Sequence, residues 1–359
     1  MRVLVLSHAD VHAALAPGEC EREMAGVLAA RARGEAYNPL RSVMVPPDAP
    51  GFMGLMPAYA AGREGAPGSE GAAGREGAAG REGAAGSEGA PGLFALKAIC
   101  LMPSNPRRGL DTHQGTVTLF DGETGMPTAI LDASSVTGIR TAAVTAVATR
   151  LLAREDAGVL TILGAGVQAK AHLVALACVR RWREVRVYAP TPGHARAVAA
   201  AGAGPGEPGT ARLIDAPTAR EAVQGADVVV TVTSSREPVL EHAWLDPRAH
   251  VNAVGASTPA ARELPVETVA AAALFCDSRE SVRHEAGEFR LAVEQGAIGG
   301  EDHIRAELGE VLAGTAAGRT DDRELTVFRS LGIGVEDLAA ARLTVENARR
   351  RGLGTEVEL

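Results

Sequence analysis

The feature that most constrains this chain is "TILGAGVQAKAHL", residues 161–173, where Gly164, Gly166 and the small Ala169 stand between an apolar run and a helix-like stretch. In a strand-turn-helix, the first glycine of such a pattern permits the tight turn and the second lets backbone approach a pyrophosphate. The small third residue lets helix and strand pack closely. Phosphate then meets the positive end of the helix. The flanking sequence supplies the alternation this reading needs. Residues 159–163, 184–188, 212–214, 227–232, 250–254 and 274–276 read as short strands, with helices over 167–179 and 191–201. That order predicts an α/β fold with a Rossmann-type doubly wound parallel sheet. A long Ala-rich helix, "SSVTGIRTAAVTAVATRLLARED", leads into it behind a Ser or Thr cap.

The first 134 residues follow another rule. Short apolar runs alternate with Pro/Gly breaks, which predicts a sheet of short strands joined by turns. "MRVLVLSHADV" reads as a strand followed by a helix that Ser7 caps with Asp10 three residues on. The runs 52–59 and 93–102 fit a hairpin, yet between them lies "GREGAPGSEGAAGREGAAGREGAAGSEGAPG", Gly62 to Gly92, with glycine at every third position. Collagen has that period but also needs abundant proline, and here only Pro67 and Pro91 occur. The repeat is expected to be a disordered hairpin extension, since loop closure grows costlier only with the logarithm of length. Trimming it to a short turn is expected to leave activity nearly intact. Residues 335–351 read as a closing helix. The expected organisation is an α+β substrate-binding and dimerisation domain from residues 1–134 and 324–359, with the dinucleotide-binding domain over 135–323.

At 359 residues and 46% hydrophobic content the chain can fill two cores. A formal charge of -8 without a basic block argues against a nucleic-acid surface. No run reaches the roughly 18 apolar residues of a membrane span, so a cytoplasmic protein with no membrane partner is expected. Cys20, Cys100, Cys178 and Cys276 show neither CxxC spacing nor a His/Cys cluster, which predicts buried reduced thiols and no metal.

Three cations stand in apolar surroundings: Arg41 in "NPLRSVMV", Lys97 in "LFALKAICLM" and Arg140 in "VTGIRTAAV". Buried charges are costly unless paired, so each needs an acidic partner or an anionic ligand. Beside a nucleotide fold they suggest a site for a small carboxylate, with arginines on the anion and lysine near the reacting centre. The second strand, "EVRVYAPTPGHAR", ends at Ala189 and not at the acidic residue that would hold the ribose of NAD. Thr191, His194 and Arg196 follow and could meet a 2'-phosphate, so NADP is favoured over NAD.

The chain resembles the ornithine cyclodeaminase/mu-crystallin family through "LRSVMV", "GLMPAY", "ALKAICLMPSNPRRGL", "THQGTVTLFDGETG", "GIRTAAVTAVATRLLAR", "GAGVQA", "HVNAVGAS" and "TVFRSLGIGVEDLAAA". The resemblance implies that Arg41 and Arg140 hold the substrate carboxylate and that Lys97 stands beside the amine or imine carbon. It places Val167 and Gln168 on the cofactor loop, and Thr112, His113, Ser330 and Leu331 around nicotinamide and substrate. Arg140, Thr141 and Thr233 are further expected cofactor contacts. It also implies a homodimer held through the first domain's sheet.

One position separates members of that family. Cyclodeaminases carry an aspartate soon after the "NAVGA" strand, and here Ser257 stands in its place, a poor proton acceptor without a partner. Ser257 and the "HQ" at His113 and Gln114 resemble instead the mu-crystallin branch, whose members resemble ketimine reductases. The expected reaction is NAD(P)H-dependent reduction of a cyclic 2-imino acid such as piperideine- or pyrroline-2-carboxylate. Lys97 is the first candidate for proton donor, with a pKa depressed by its arginine neighbours, and His113 is the alternative. Ser257 would only hydrogen-bond substrate or cofactor. The competing readings are cyclodeamination of ornithine, deamination of an amino acid as in alanine dehydrogenases, and NADPH or small-ligand binding without turnover. A collagen-like trimeric adhesion module rests on the repeat alone.

Overall fold

The computed structural model describes residues 1–62, 91–191, 193–201 and 211–359. One sheet has eight strands, all parallel, in the spatial order Arg212–Asp215, Glu184–Tyr188, Val159–Leu163, Val228–Thr231, His250–Ala253, Thr326–Arg329, Ala273–Cys276, Ile304–Glu307. Val228–Thr231, His250–Ala253 and Thr326–Arg329 are buried at every residue, as strands covered on both faces must be. The strand before the glycine turn, Val159–Leu163, lies where the winding reverses, between Glu184–Tyr188 and Val228–Thr231. A crevice at the carboxyl ends of the strands forms at such a switch point. The strand Thr326–Arg329 crosses the expected boundary at residue 324: it lies inside the parallel sheet, between His250–Ala253 and Ala273–Cys276. Its four residues, Thr326 to Arg329, are all buried there, yet so short a stretch carries no mark of which sheet it joins.

The second sheet is mixed. Its order is Thr355–Glu358, Arg2–Leu6, Pro127–Asp132, His113–Asp121, Leu93–Leu101, Phe52–Ala60, Ala36–Tyr37, with Ser42–Met44 also on Phe52–Ala60. The expected hairpin is present, in register from Phe52 opposite Leu101 to Ala60 opposite Leu93. The expectation of disorder in the glycine repeat falls on residues 63–90, which lie outside the described residues. Here burial alternates: Gly54, Met56, Ala58 and Ala60 face inward with Ala95, Lys97 and Ile99, while Leu55 and Phe94 face out.

The helix Ala133–Leu152 packs against the helices Pro17–Ala32 and Val167–Val179, with sixteen of its twenty residues buried. Its many alanines permit that close approach on every side. Asp132, and not the expected Ser or Thr, caps it by accepting from the Ser135 N–H at 2.8 Å. The helix Gly334–Arg351 crosses the inner face of the hairpin. The Ser7–Asp10 capping box forms as expected. All four cysteines are free, and Cys20 and Cys276 are buried, but Cys178 is exposed and Cys100 half-buried. Among the described residues no helix is long and apolar enough to cross a membrane, and no group of His, Cys, Asp and Glu could hold a metal ion.

Candidate active site

A cavity of about 520 Å³ lies between the inner face of the mixed sheet and the carboxyl ends of the parallel strands. Strand alternation turns Lys97 inward, the buried helix Ala133–Leu152 presents Arg140 and Thr141, and Arg41 enters from the segment before Ser42–Met44. The parallel sheet contributes Gln168, Ser257, Ser330 and Leu331. His113 completes the polar lining at the start of its strand.

Lys97 and Arg140 are buried and Arg41 is half-buried, and each has an acidic partner that local sequence did not reveal. Lys97, 2% exposed, has its Nζ 2.8 Å from a carboxylate oxygen of Asp337. Arg140 donates through Nε to Asp337 at 2.9 Å and through Nη1 to Glu336 at 2.7 Å. Arg41 pairs through Nε with Glu285 at 2.9 Å and donates through Nη2 to the carbonyls of Leu331 and Gly332 at 2.7 and 2.9 Å. Those two residues in turn donate their N–H groups to buried Asp277, both at 2.6 Å. Gly332 holds φ +75, and a Cβ there would stand 2.5 Å from the Arg140 guanidinium, so turn and arginine fit only with glycine. Among the described residues, Nη1 of Arg41 and Nη2 of Arg140 keep no hydrogen-bond partner.

Burial first, and then Arg140 and Arg41, lower the Lys97 pKa to about 8 against the opposing pull of Asp337. The expected direction holds, with desolvation rather than the arginines as the main cause. Burial, Lys97 and Arg140 lower His113 to about 4, so it faces the cavity as a neutral imidazole. Glu336 is pushed up to about 8, chiefly by burial, while Arg140 and Lys97 hold Asp337 below the usual carboxylate range despite its burial.

The dinucleotide edge lies beside this cavity. Gly164 has φ +122 with its N–H on the Tyr188 carbonyl, and a Cβ would meet the Val232 carbonyl oxygen at 2.5 Å. Gly166 precedes the helix Val167–Val179, and a Cβ on it would enter open space, the room a pyrophosphate requires. Ala169 is fully buried against the sheet. These positions fit a dinucleotide. Thr112, Gly164, Gly166, Val167, Thr191, Arg196 and Thr233 do not line the 520 Å³ cavity. Thr191 is exposed, and Arg196, with its side chain 84% exposed, stands 4.0 Å from Asp215. Thr233 donates its N–H to Glu263, a buried carboxylate that also accepts from the N–H groups of Gly255 and Ala256 and from the Thr231 hydroxyl. Glu263 thereby joins the ends of two adjacent strands, a role visible only in three dimensions.

A sequence model of the ornithine cyclodeaminase/mu-crystallin family matches residues 85–352. The chain belongs to that family. It is similar to the ketimine reductase mu-crystallin of Mus musculus, 36% identical over 314 residues that cover 88% of this chain and 86% of the relative. Among solved structures, the Thermococcus litoralis Delta(1)-pyrroline-2-carboxylate reductase in complex with NADH and L-proline superposes with a TM-score of 0.86. It is 32% identical and covers 99% of this chain and 100% of that one. An archaeal alanine dehydrogenase dimer with bound NAD has a TM-score of 0.85 at 30% identity, with full coverage of both chains. The relatives thus include NAD(P)-dependent reductases that act on C=N bonds.

Proposed function

We propose that this protein reduces the C=N bond of a small cyclic 2-imino acid, such as piperideine- or pyrroline-2-carboxylate, to the cyclic amino acid, with NADPH or NADH. The observation that carries this reading is one cavity in which a buried lysine stands with two arginines beside a dinucleotide-type glycine turn. Arg41 and Arg140 would take the substrate carboxylate on their free nitrogens and so fix the imine plane. Lys97, at about 8, is protonated at neutral pH and loses its proton readily, which suits a donor to the imine nitrogen. Bound NAD(P)H would supply hydride to the adjacent carbon, completing the new C–H and N–H bonds. Neutral His113 and Ser257 would only hydrogen-bond, and Leu331 would close the substrate end.

Thr112, Arg140, Thr141, Val167, Gln168, Thr233 and Ser330 would hold the dinucleotide, with its phosphates at the turn of Gly164 and Gly166. NADP remains the favoured form, because the second strand ends in Ala189 and the exposed Arg196 is free to reach a 2'-phosphate. We take the unit to be a homodimer built on the mixed sheet, where Tyr37, Val43, Met44, Leu55 and Phe94 expose apolar surface. The deciding assay compares NADPH oxidation by cyclic imines with that by pyruvate plus ammonia, and with NAD reduction by ornithine. Turnover of an open-chain substrate without any cyclic imine turnover overturns the proposal and favours deamination.

A further inference from the structure

The cavity has a second half that this chemistry leaves unused. Residues in register stand side by side and alternate faces along a strand, so the hairpin and the strand His113–Asp121 lay three inward rows. Met56, Lys97 and Val117 form one row. Gly54, Ile99 and Gly115 form the next, and Phe52, Leu101 and His113 the third. The middle row is open on the Gly54 side of Ile99 alone: Gly115 is exposed and does not line the cavity, and a Cβ on it would strike the Ala98 carbonyl oxygen at 2.0 Å. A Cβ on Gly54 would find nothing nearer than Ile99 Cγ2 at 3.7 Å. Two residues of strand separate neighbouring rows by ~7 Å, so the trough lies beside the Lys97 row rather than beneath it. Phe52, Gly54, Ile99 and Leu101 line it, with Val43 and Val45 also on the cavity wall. Among the described residues Glu285 is the only carboxylate lining the cavity, and Arg41 holds it.

We propose that this trough receives the far side of the substrate ring and accepts only uncharged, apolar substituents, with room beyond an unsubstituted ring. The inference rests on the imine-reductase reading and deepens it by naming the substrate class. A second carboxylate there would be desolvated against Ile99, Phe52 and Leu101 without a counter-charge of its own. His113, the one polar group of the three rows besides Lys97, offers a neutral ring to such a charge.

The test uses the full-length protein and its Gly54→Val, Gly54→Ala and Ile99→Ala variants. Calorimetry with NADP+ present measures binding of pipecolate, a ring-methylated pipecolate and piperidine-2,6-dicarboxylate, and NADPH oxidation follows the matching cyclic imines. The methylated ring should bind at least as tightly as pipecolate, and the dicarboxylate about a hundredfold more weakly, the scale of selection a mismatched pocket supports. Gly54→Val should weaken the methylated ring roughly tenfold more than the parent, and Ile99→Ala should shift the ratio the other way. Gly54→Ala adds one carbon in ordinary contact and should move the ratio in the same direction as valine, should the larger variant not fold. Equal binding of the dicarboxylate and pipecolate, or equal loss of both rings in the glycine variants, overturns the inference. If the binding order holds while no imine is turned over, the trough stands and the reductase reading falls; if imines are reduced and the dicarboxylate is among the best, the reverse is true.

Discussion

In the parallel sheet, strands such as Val228–Thr231 and His250–Ala253 are buried at every residue, so their faces have no room for reactive groups. The residues this sheet turns to the cavity come from beyond the carboxyl ends of its strands: Gln168, Ser257 and Ser330. The hairpin of the mixed sheet buries alternate residues, and one inward position, Lys97, carries the central charge of the cavity in mid-strand. Chemistry at strand ends leaves a local loop motif. Chemistry on a strand face leaves one out-of-place cation and depends on whatever distant element covers that face, here the helix Gly334–Arg351 with Glu336 and Asp337.

The largest effect should come from Lys97→Met, which removes the charge from the strand face. Turnover should fall by roughly 10²–10⁴ while NADPH binding, followed by fluorescence, is retained. Surviving turnover would mean that the face carries no chemistry. Asp337→Asn should rank second, since it strips a carboxylate from both buried Lys97 and Arg140 and should cost about 3–5 kcal/mol, read as a lowered Tm. It should also sharpen the pH profile. A lysine donor loses activity as pH rises through about 8, and because Asp337 raises that pKa, the loss in the variant should begin at lower pH. Gly164→Ala tests the other sheet: strain at φ +122 and a contact with the Val232 carbonyl should cost about 1–3 kcal/mol and raise KM for NADPH rather than for the imino acid. The smallest effect belongs to Arg196→Ala, whose exposed 4.0 Å pair with Asp215 contributes at most ~1 kcal/mol. It should raise KM for NADPH a few-fold and leave that for NADH unchanged; equal effects on both would remove the case for a 2'-phosphate contact.

The same contrast explains what could be read in advance. Gly164, Gly166 and Ala169 lie within six residues and signal a local shape, and the two runs of the hairpin pair despite the repeat between them. Arg41, Lys97 and Arg140 stood out because charge in an apolar run demands an explanation. Their partners did not: Glu285, Glu336 and Asp337 lie far along the chain, and Glu336 and Asp337 stand in a helix's first turn, where acidic residues are ordinary because they suit the helix dipole. Glu263 was equally silent, being one glutamate in an exposed-looking stretch that folds back beneath two strand ends. The placement of Thr326–Arg329 turned on pairing between strands some 50 to 75 residues distant, which no local pattern encodes.

The carboxylates around Lys97 and Arg140 have a consequence for ligand binding itself. The charge of Lys97 and Arg140 is already opposed by the Asp337 carboxylate before any ligand arrives. An anion entering that set raises the proton affinity of its neighbours, and both Lys97 and Glu336 lie at about 8. On the proposed function, capture of the substrate carboxylate should therefore be linked to proton uptake, small at neutral pH and largest somewhat above pH 8. Binding should tighten as pH falls through that range, and the heat of binding should change with the ionisation enthalpy of the buffer.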